Sequence, residues 1–388
     1  MILKYSLALL NSKSIEPFLK AVAPKDFGPG SMKLIPVSGC YEKFSVNNKF
    51  VQEAIEISRA DWNMLETSWG FKSNVVLEKS KSSLRDSIVS VMDSAKNATN
   101  RLYEIEGQLG RALYESYGFR GECEDVLKSE ITLFQNSTYK HGLKNEKDYL
   151  LEFISYAVGC VFGRYSIDKE GLILADARNT VEDYLKEISQ PAFKPDQDNV
   201  VPLIDFDGEW FEDDIAECFK DFLKVTFGEE YFSENMKFIE NAIGKDIKKY
   251  FIKDFYADHV KRYKKRPIYW MFSSPKGSFN ALIYMHRYNK DTVDVVLNNY
   301  LREFRTKLLA RKESLEQIEI SASASQKDKT QAIKTIAKIN KVLDEINDYE
   351  HDVLYPLAGE KVEIDLDDGV KHNYPLFGKA LKKVPGLS

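Results

Sequence analysis

Apolar residues recur at helical spacing along most of this 388-residue chain. Residues 3–10 and 15–22 are short helical segments, followed by a glycine–proline turn at 28–30 and a predicted strand at 34–37. Successive longer helices follow, with apolar stripes at Trp62, Leu65, Trp69, Leu84, Ile88, Val91, Met92, Ala95, Leu102, Ile105, Leu109 and Leu113. Because the pattern then becomes polar and irregular up to about residue 148, we place a domain boundary between residues 1–145 and 146–388.

The second region continues with helices on either side of a polar connector at 190–201, which contains two prolines. Residues 213–227 and 234–243 have helical spacing, with Ser233 as the N-cap of the second helix and Gly244 at its end. A third helix follows, and its apolar positions are Ile247, Tyr250, Phe251 and Phe255. These patterns predict a largely helical body.

A β-hairpin is predicted at 267–289, after Pro267 ends the third helix. Residues 268–272 and 279–288 have strand composition and enclose a turn that contains proline and glycine. Alternation along the first strand predicts a core face and an opposite face, made respectively by Ile268, Trp270 and Phe272 and by Tyr269 and Met271.

Residues 293–354 have the pattern of two long amphipathic helices joined at 321–325, typical of an antiparallel helical hairpin. Their apolar positions are Leu297, Leu301, Phe304, Leu308, Leu315 and Ile318, then Ile333, Ile336, Leu343, Ile346 and Val353. The second arm also has a lysine stripe at Lys334, Lys338 and Lys341, for which a solvated helix face is a sufficient explanation.

The C-terminal residues 361–374 alternate in polarity around Asp368–Gly369, which favours a terminal β-hairpin over a metal site formed by the nearby aspartates. The predicted fold class is therefore mainly α with small β-hairpins or a small sheet (α+β). It consists of a helical spacer region followed by a C-terminal domain with a long antiparallel helical hairpin.

Charge is distributed unevenly along the chain. The formal net charge is -5, yet residues 259–290 contain eight Lys or Arg residues, seven aromatic residues and no Asp or Glu. A nucleic-acid surface explains this composition, because phosphates require positive charge and aromatic rings stack on bases. The alternatives are a solvated cationic rim around core rings, or a surface for an acidic protein. The candidate DNA-binding residues are Lys261, Arg262, Lys264, Lys265, Arg266, Tyr269, Lys276 and Arg287.

Long, idiosyncratic strings of residues carry a family resemblance: ISYAVGCVFGRYSID at 154–168, VPLIDFDGEWFEDDI at 201–215, RPIYWMFSSPKGSFNALIYMHRY at 266–288 and DYEHDVLYPLA at 348–358. From about residue 150 onward, the chain resembles the C-terminal region of the PglX family, the adenine-specific DNA methyltransferases of bacterial BREX phage-resistance systems. The earlier segment YSLALLNSKSIEPFLKAV, at 5–22, is similar to the end of the target-recognition region in many adenine methyltransferases.

The resemblance implies that the intact enzyme transfers a methyl group from S-adenosylmethionine to N6 of adenine, and that it works with other BREX proteins against phage. Such an enzyme needs a glycine-rich cofactor turn after a strand and an Asn-Pro-Pro-Tyr type motif. The chain contains no Asn-Pro-Pro, and its turn at 28–30 lacks a preceding apolar strand. We therefore expect no cofactor site and no methyl transfer by this chain alone, and a supporting role in holding double-stranded DNA.

A second hypothesis belongs to a different class. The same cations would serve a protein-interaction module that binds an acidic partner in the defence complex, or a phage inhibitor that mimics DNA, because positive charge does not identify which anion it meets.

The cysteines suggest the compartment. Cys40, Cys123, Cys160 and Cys218 are far apart and form no CxxC or Cys/His pattern, which predicts a reducing cytoplasm and no structural zinc. The apolar runs at 1–10 and 153–162 are too short to span a bilayer. We therefore expect a cytoplasmic protein without a membrane partner.

Overall fold

A computed structural model describes residues 2–22, 28, 30, 33–35, 37, 48–78, 83–119 and 124–387. The chain divides into two compact units, Met1–Leu151 and Glu152–Ser388, and the division lies inside the helix Glu146–Val161. The described residues are mainly helical with a small antiparallel sheet, which confirms the predicted fold class. None of the helices in these ranges is both long enough and apolar enough to cross a membrane.

The longer elements of regular secondary structure described in the first unit are helices. Its helices are α1 (Ile2–Leu10), α2 (Glu16–Val22), α3 (Asn48–Asn63), α4 (Val75–Glu78) and α5 (Leu84–Ser116). The predicted successive helices after residue 84 are one 33-residue helix, α5, because its apolar stripe is continuous and Ser83 caps its first turn by accepting the N–H of Asp86 at 3.2 Å.

Three sequence predictions for the first unit need comment. Trp62 and Trp69 are exposed, so they do not belong to the predicted buried stripe. Leu34 and Ile35, placed in a predicted strand, lie in a turn and a bend. Cys40 and Cys123 lie outside the described residues.

The second unit surrounds its sheet with helices. They are α6 (Glu146–Val161), α7 (Val181–Glu187), α8 (Ile215–Phe227), α9 (Phe232–Ile243), α10 (Ile247–Tyr250), α11 (Tyr256–Arg262), α12 (Thr292–Val295), α13 (Arg302–Ile320), α14 (Gln326–Tyr349), α15 (Tyr355–Glu360) and α16 (Val370–Asn373). Short π-helical segments, Phe251–Phe255, Val296–Leu301 and Glu350–Leu354, join α10 to α11, α12 to α13 and α14 to α15. Ser233 lies inside α9 and is not its N-cap, because a 3₁₀ turn, Glu229–Tyr231, leads directly into the helix.

The sheet has strands β1 (Val200–Pro202), β2 (Tyr269–Ser273) and β3 (Asn280–Tyr284), in the antiparallel order β1-β3-β2. Leu282 of β3 faces Val201 on one side and Met271 on the other. β1 lies at the end of the segment that the sequence pattern assigned to a connector. Both faces of β2 are buried, so Tyr269 and Met271, predicted on the face opposite the core, are core residues as well.

The turn between β2 and β3 is bound by a carboxylate from α14. Glu345 is buried, and its carboxylate accepts the hydroxyl of Ser274 at 2.6 Å, the backbone N–H of Lys276 at 2.7 Å and the hydroxyl of Ser278. Hydrogen bonds to a charged acceptor are stronger than those between neutral groups. Glu345 therefore fixes the tip of the hairpin to the helical body.

Helices α13 and α14 pack against each other along an arm, with Ser321 and Ser325 at its two helix ends. Leu308 and Ile339 are fully buried, whereas Ile333 is half exposed. The inner part of the arm is therefore a packed core. Its outer end buries less apolar surface than the sequence pattern predicted.

Residues 361–374 do not form the predicted terminal hairpin. A 3₁₀ turn, Leu366–Asp368, precedes α16. The Asp365 carboxylate accepts the N–H of Asp367 at 2.9 Å, and the Asn373 side-chain amide donates to the carbonyls of Asp365 and Gly369. These local bonds satisfy the backbone without strand pairing.

We predict that Leu308→Ala lowers the free energy of unfolding by about 2 to 5 kcal/mol, because it removes a fully buried side chain. The control, Lys334→Ala with Lys341→Ala, changes two exposed positions of the same arm and should leave stability nearly unchanged. Chemical denaturation measures both. Equal losses in the two variants would show that the arm is not held by its apolar contacts.

Candidate nucleic-acid interface

The structure separates the predicted DNA-binding residues into two groups. Five are exposed: Lys261, Lys264, Lys265, Arg266 and Lys276. The other three are engaged by the protein itself: Arg262, Tyr269 and Arg287. Only the exposed group is accessible to a large ligand.

Tyr269 is fully buried on β2. Its ring stacks on Phe162, with centroids 5.1 Å apart, and on His259, with centroids 4.7 Å apart. A ring enclosed in this way has no face left for a nucleic-acid base. The aromatic content of the segment is therefore mainly core.

Arg287 is also buried, and its guanidinium donates to the carbonyls of Asp196 at 2.8 Å and Gln197 at 3.0 Å. Burial lowers the pKa of Arg287, and the carboxylates of Asp196 and Asp198 oppose that shift. Burial and the neighbouring Asp198 raise the pKa of Asp196 to about 7. Arg287 thus supports the backbone beside β1 and compensates the half-buried carboxylates of Asp196 and Asp198.

Arg262, at the end of α11, forms an ion pair with Glu152 of α6, and each side chain is only 16% exposed. This pair fixes α11 against the body of the unit. Its positive charge is largely compensated before any ligand arrives.

The lysines after α11 occupy an unusual turn. Lys264 and Lys265 have φ values of 51° and 63°, in the left-handed region that disfavours side chains. The N–H of Lys265 donates to the carbonyl of Val260 at 2.8 Å, which closes the turn. The chain therefore reverses direction sharply between the helix and Pro267.

His259 holds the other side of that turn. Its Nε2 accepts the N–H groups of Ile268 and Tyr269, each at 3.1 Å. Burial places the pKa of His259 well below its usual value, with Arg262 and Arg164 acting in the same direction. The neutral imidazole is the form that can accept these bonds, so the local environment and the hydrogen bonding agree.

The exposed lysines meet the C-terminal segment at a pocket of about 590 Å³. Its cationic lining consists of Lys253, Lys261, Lys264, Lys265, Lys382 and Lys383. No Asp or Glu is found among the described residues that line it. The remainder of the lining is apolar in character: Tyr256, Ala257, Val260, Val384 and Pro385. We call this site the lysine pocket.

Hydrogen bonds join the two chain segments that form the walls of the lysine pocket, which are α11 with the turn after it and the C-terminal segment. Lys382 donates its N–H to the carbonyl of Met271 at 2.8 Å, so the C-terminal segment lies along the free edge of β2. Tyr374 donates its hydroxyl to the carbonyl of Lys382, and the hydroxyls of Tyr256 and Tyr374 are 2.9 Å apart. Since Tyr256 belongs to α11, both walls are fixed relative to each other.

Two of the pocket lysines interact closely with other charged groups. Lys253 forms an ion pair with Asp205. Burial, together with the nearby charge of Lys253, lowers the pKa of Lys382. An approaching anion would therefore relieve an unfavourable concentration of positive charge.

Sequence reasoning missed Lys253, Lys382 and Lys383. The signal for the last two was the KALKKVPG run near the C-terminus, but only the pairing of that run with β2 brings it beside α11. Lys276, in contrast, was predicted and is exposed at the hairpin tip, but it is not part of the pocket lining. Within the ranges described above, no group of three or more His, Cys, Asp or Glu side chains is arranged to hold a metal ion.

We predict that Arg287→Met lowers the free energy of unfolding by about 3 to 5 kcal/mol, because it removes a buried guanidinium that binds the carbonyls of Asp196 and Gln197 and compensates two half-buried carboxylates. Lys276→Met, the same change at an exposed position, should alter stability little. Chemical denaturation compares the two. If Arg287→Met retained full stability and selectively lost DNA affinity, Arg287 would be a DNA contact after all.

Comparison with known proteins adds independent information. No protein-family profile matches the chain. Adenine-specific methyltransferase BrxX of Escherichia coli O9:H4 (strain HS) is 35% identical over 411 aligned positions, which cover 98% of this chain and 33% of that protein. Adenine-specific methyltransferase PglX of Lacticaseibacillus casei (strain Zhang) is 33% identical over 387 positions, which cover 96% of this chain and 31% of that protein.

The chain therefore spans about a third of the length of the curated relatives it matches. Nearly all of it is included in both alignments, so the similarity is not confined to one motif. The resemblance recognised in the sequence is confirmed: the chain is homologous to a C-terminal portion of the PglX family of adenine-specific methyltransferases.

Proposed function

We propose that this chain forms the non-catalytic, DNA-binding portion of an adenine-N6 DNA methyltransferase that acts in bacterial phage defence. The lysine pocket is the observation that carries the proposal, because it brings together six lysines, one of them paired with Asp205, on a protein whose formal net charge is -5. The names of the relatives support methylation of adenine as the activity of the intact enzyme. In this scheme the intact enzyme uses S-adenosylmethionine, acts in the cytoplasm and cooperates with other BREX proteins.

The proposed contact with double-stranded DNA is electrostatic. Lysines at a pocket rim neutralise backbone phosphates and release their counterions, which gives affinity that depends on salt and little on sequence. Lys261, Lys264, Lys265 and Lys383 are exposed and supply most of this charge. Arg266 is exposed on the same turn and extends the surface. A phage inhibitor that mimics DNA would compete for the same cations.

The left-handed backbone at Lys264 and Lys265 allows the contribution of these lysines to DNA binding to be tested without loss of stability. Glycine adopts this conformation readily, whereas a residue with a side chain loses about 1 to 2 kcal/mol there. The double variant Lys264→Gly with Lys265→Gly should therefore remove two charges while stability stays unchanged or rises.

For the wild-type chain, we predict that the logarithm of the DNA association constant falls with the logarithm of salt concentration with a slope of about -3 to -4, as expected for about four neutralised phosphates. The glycine double variant should reduce the magnitude of that slope by about 2 and weaken binding to all duplexes alike. The control variant Lys334→Ala with Lys341→Ala, on the arm, should change neither the slope nor the affinity. Fluorescence anisotropy across a salt series provides the measurement. Unchanged affinity and slope in the glycine variant would instead assign these lysines to an acidic protein partner.

A further prediction concerns the cofactor. Because the sequence contains no Asn-Pro-Pro, and its turn at 28–30 lacks a preceding apolar strand, the isolated chain should neither bind S-adenosylmethionine nor transfer a methyl group. Isothermal titration calorimetry with S-adenosylmethionine and with S-adenosylhomocysteine tests this directly. Micromolar binding of either compound would contradict the proposed non-catalytic role.

A further inference from the structure

The lysine pocket has an apolar floor that a backbone-phosphate site does not need. Ala257 and Pro385 are exposed, Val260 is partly exposed, and all three line the pocket together with the lysines. Phosphate recognition requires only positive charge and hydrogen-bond donors. Exposed apolar surface between cations suits a ligand that has both an anionic group and an apolar, flat group. A nucleotide is a ligand of this kind.

The dimensions of the pocket favour the same class of ligand. Its volume, about 590 Å³, lies in the range of pockets that enclose small organic molecules, and a phosphate group alone would leave most of it unfilled. Bases in a regular duplex are stacked inside the helix and cannot enter a lateral pocket. The ligand must therefore present a base that is not stacked in a duplex.

Both walls of the pocket are held in place by the protein itself. The hydroxyl contacts from Tyr256 through Tyr374 to the carbonyl of Lys382 connect α11 to the C-terminal segment. His259 and the closing bond from Lys265 to Val260 fix the turn that presents Lys264 and Lys265. A site with fixed walls loses less conformational freedom when a ligand binds.

We propose that the lysine pocket binds one nucleotide with an unstacked base, the phosphate on the lysine rim and the base or sugar on the floor formed by Ala257, Val260 and Pro385. This inference rests on the proposed DNA-binding function and names the form of DNA that the pocket accepts. It predicts that single-stranded or frayed DNA binds this site more tightly than duplex DNA, because a duplex reaches the exposed lysines but cannot place a base on the floor.

The test uses the full chain and two labelled ligands, an oligothymidylate of about 16 nucleotides and a blunt duplex of the same length. Ala257→Gln places a polar side chain on the floor without changing any charge, and glutamine is a good helix former. The matched control is Ala310→Gln, at an exposed position of α13. Pro385→Gln makes the same kind of change at the floor residue that the C-terminal segment contributes, and thermal melting verifies the fold of each variant.

Ala257→Gln and Pro385→Gln should each weaken binding of the oligothymidylate at least about fivefold, the lower end of the effect expected for loss of one base contact. Duplex affinity should remain within about twofold, as should both affinities of Ala310→Gln. Deoxyadenosine monophosphate should compete with the oligothymidylate more strongly than inorganic phosphate at equal ionic strength. If the oligonucleotide binds much more tightly than the mononucleotide, the natural ligand is a DNA strand. If the two affinities are equal, the natural ligand is a free nucleotide. Both outcomes support a nucleotide site in the pocket.

Unchanged oligothymidylate affinity in both floor variants would overturn the inference. Equal competition by the mononucleotide and inorganic phosphate would overturn it as well, since the floor would then contribute nothing. Neither result affects the proposed duplex contact, which is tested separately by the salt slope of the glycine double variant. If the glycine double variant kept the wild-type salt slope while the floor variants lost oligothymidylate affinity, only the duplex contact would be contradicted.

Discussion

Burial of both faces of the β2–β3 hairpin is the constraint on which the second unit depends. A hairpin covered on both faces cannot satisfy its polar groups with water, so the partners must come from elsewhere in the protein. These partners come from four distant positions in the sequence. The side-chain amide of Asn199 bonds the backbone N–H and carbonyl of Tyr284, and His259 accepts the N–H groups at the start of β2. Glu345 binds the turn, and the N–H of Lys382 donates to the edge of β2. Residues far apart in sequence are thereby collected around one small sheet.

The same bonds also build the lysine pocket. His259 fixes the start of β2 and, with it, the left-handed turn that presents Lys264 and Lys265. The bond from Lys382 to Met271 positions Lys383 on the opposite wall. His259 and Lys382 therefore both stabilise the sheet and position the lysines of the pocket. A change at His259 would alter the shape of the pocket without removing any of its charges.

Local patterns were sufficient to predict some of this architecture. The strand composition and central turn of the hairpin, and the apolar repeats of the two arm helices, are properties of contiguous residues. β1 was missed because three residues ending in proline form a strand only through their pairing with β3. The terminal hairpin was predicted wrongly, because alternating polarity over a few residues does not reveal that Asp365 and Asn373 satisfy the backbone locally. Lys382 and Lys383 could not be assigned to the site, since no local pattern links them to α11.

Composition identified the basic segment but could not distinguish surface cations from internal ones. Arg287 and Tyr269 raised the apparent density of cations and rings in that segment, yet both are core residues with protein partners. The lysines of the pocket lie close together because three chain segments meet there, which contain Lys253, residues 261–265 and residues 382–383. Local potential, rather than net charge, decides which ligands a surface attracts, so an acidic protein can still hold a strongly cationic pocket. In this protein the cationic pocket forms because the buried hairpin draws the C-terminal lysines toward the end of α11, where other lysines already lie.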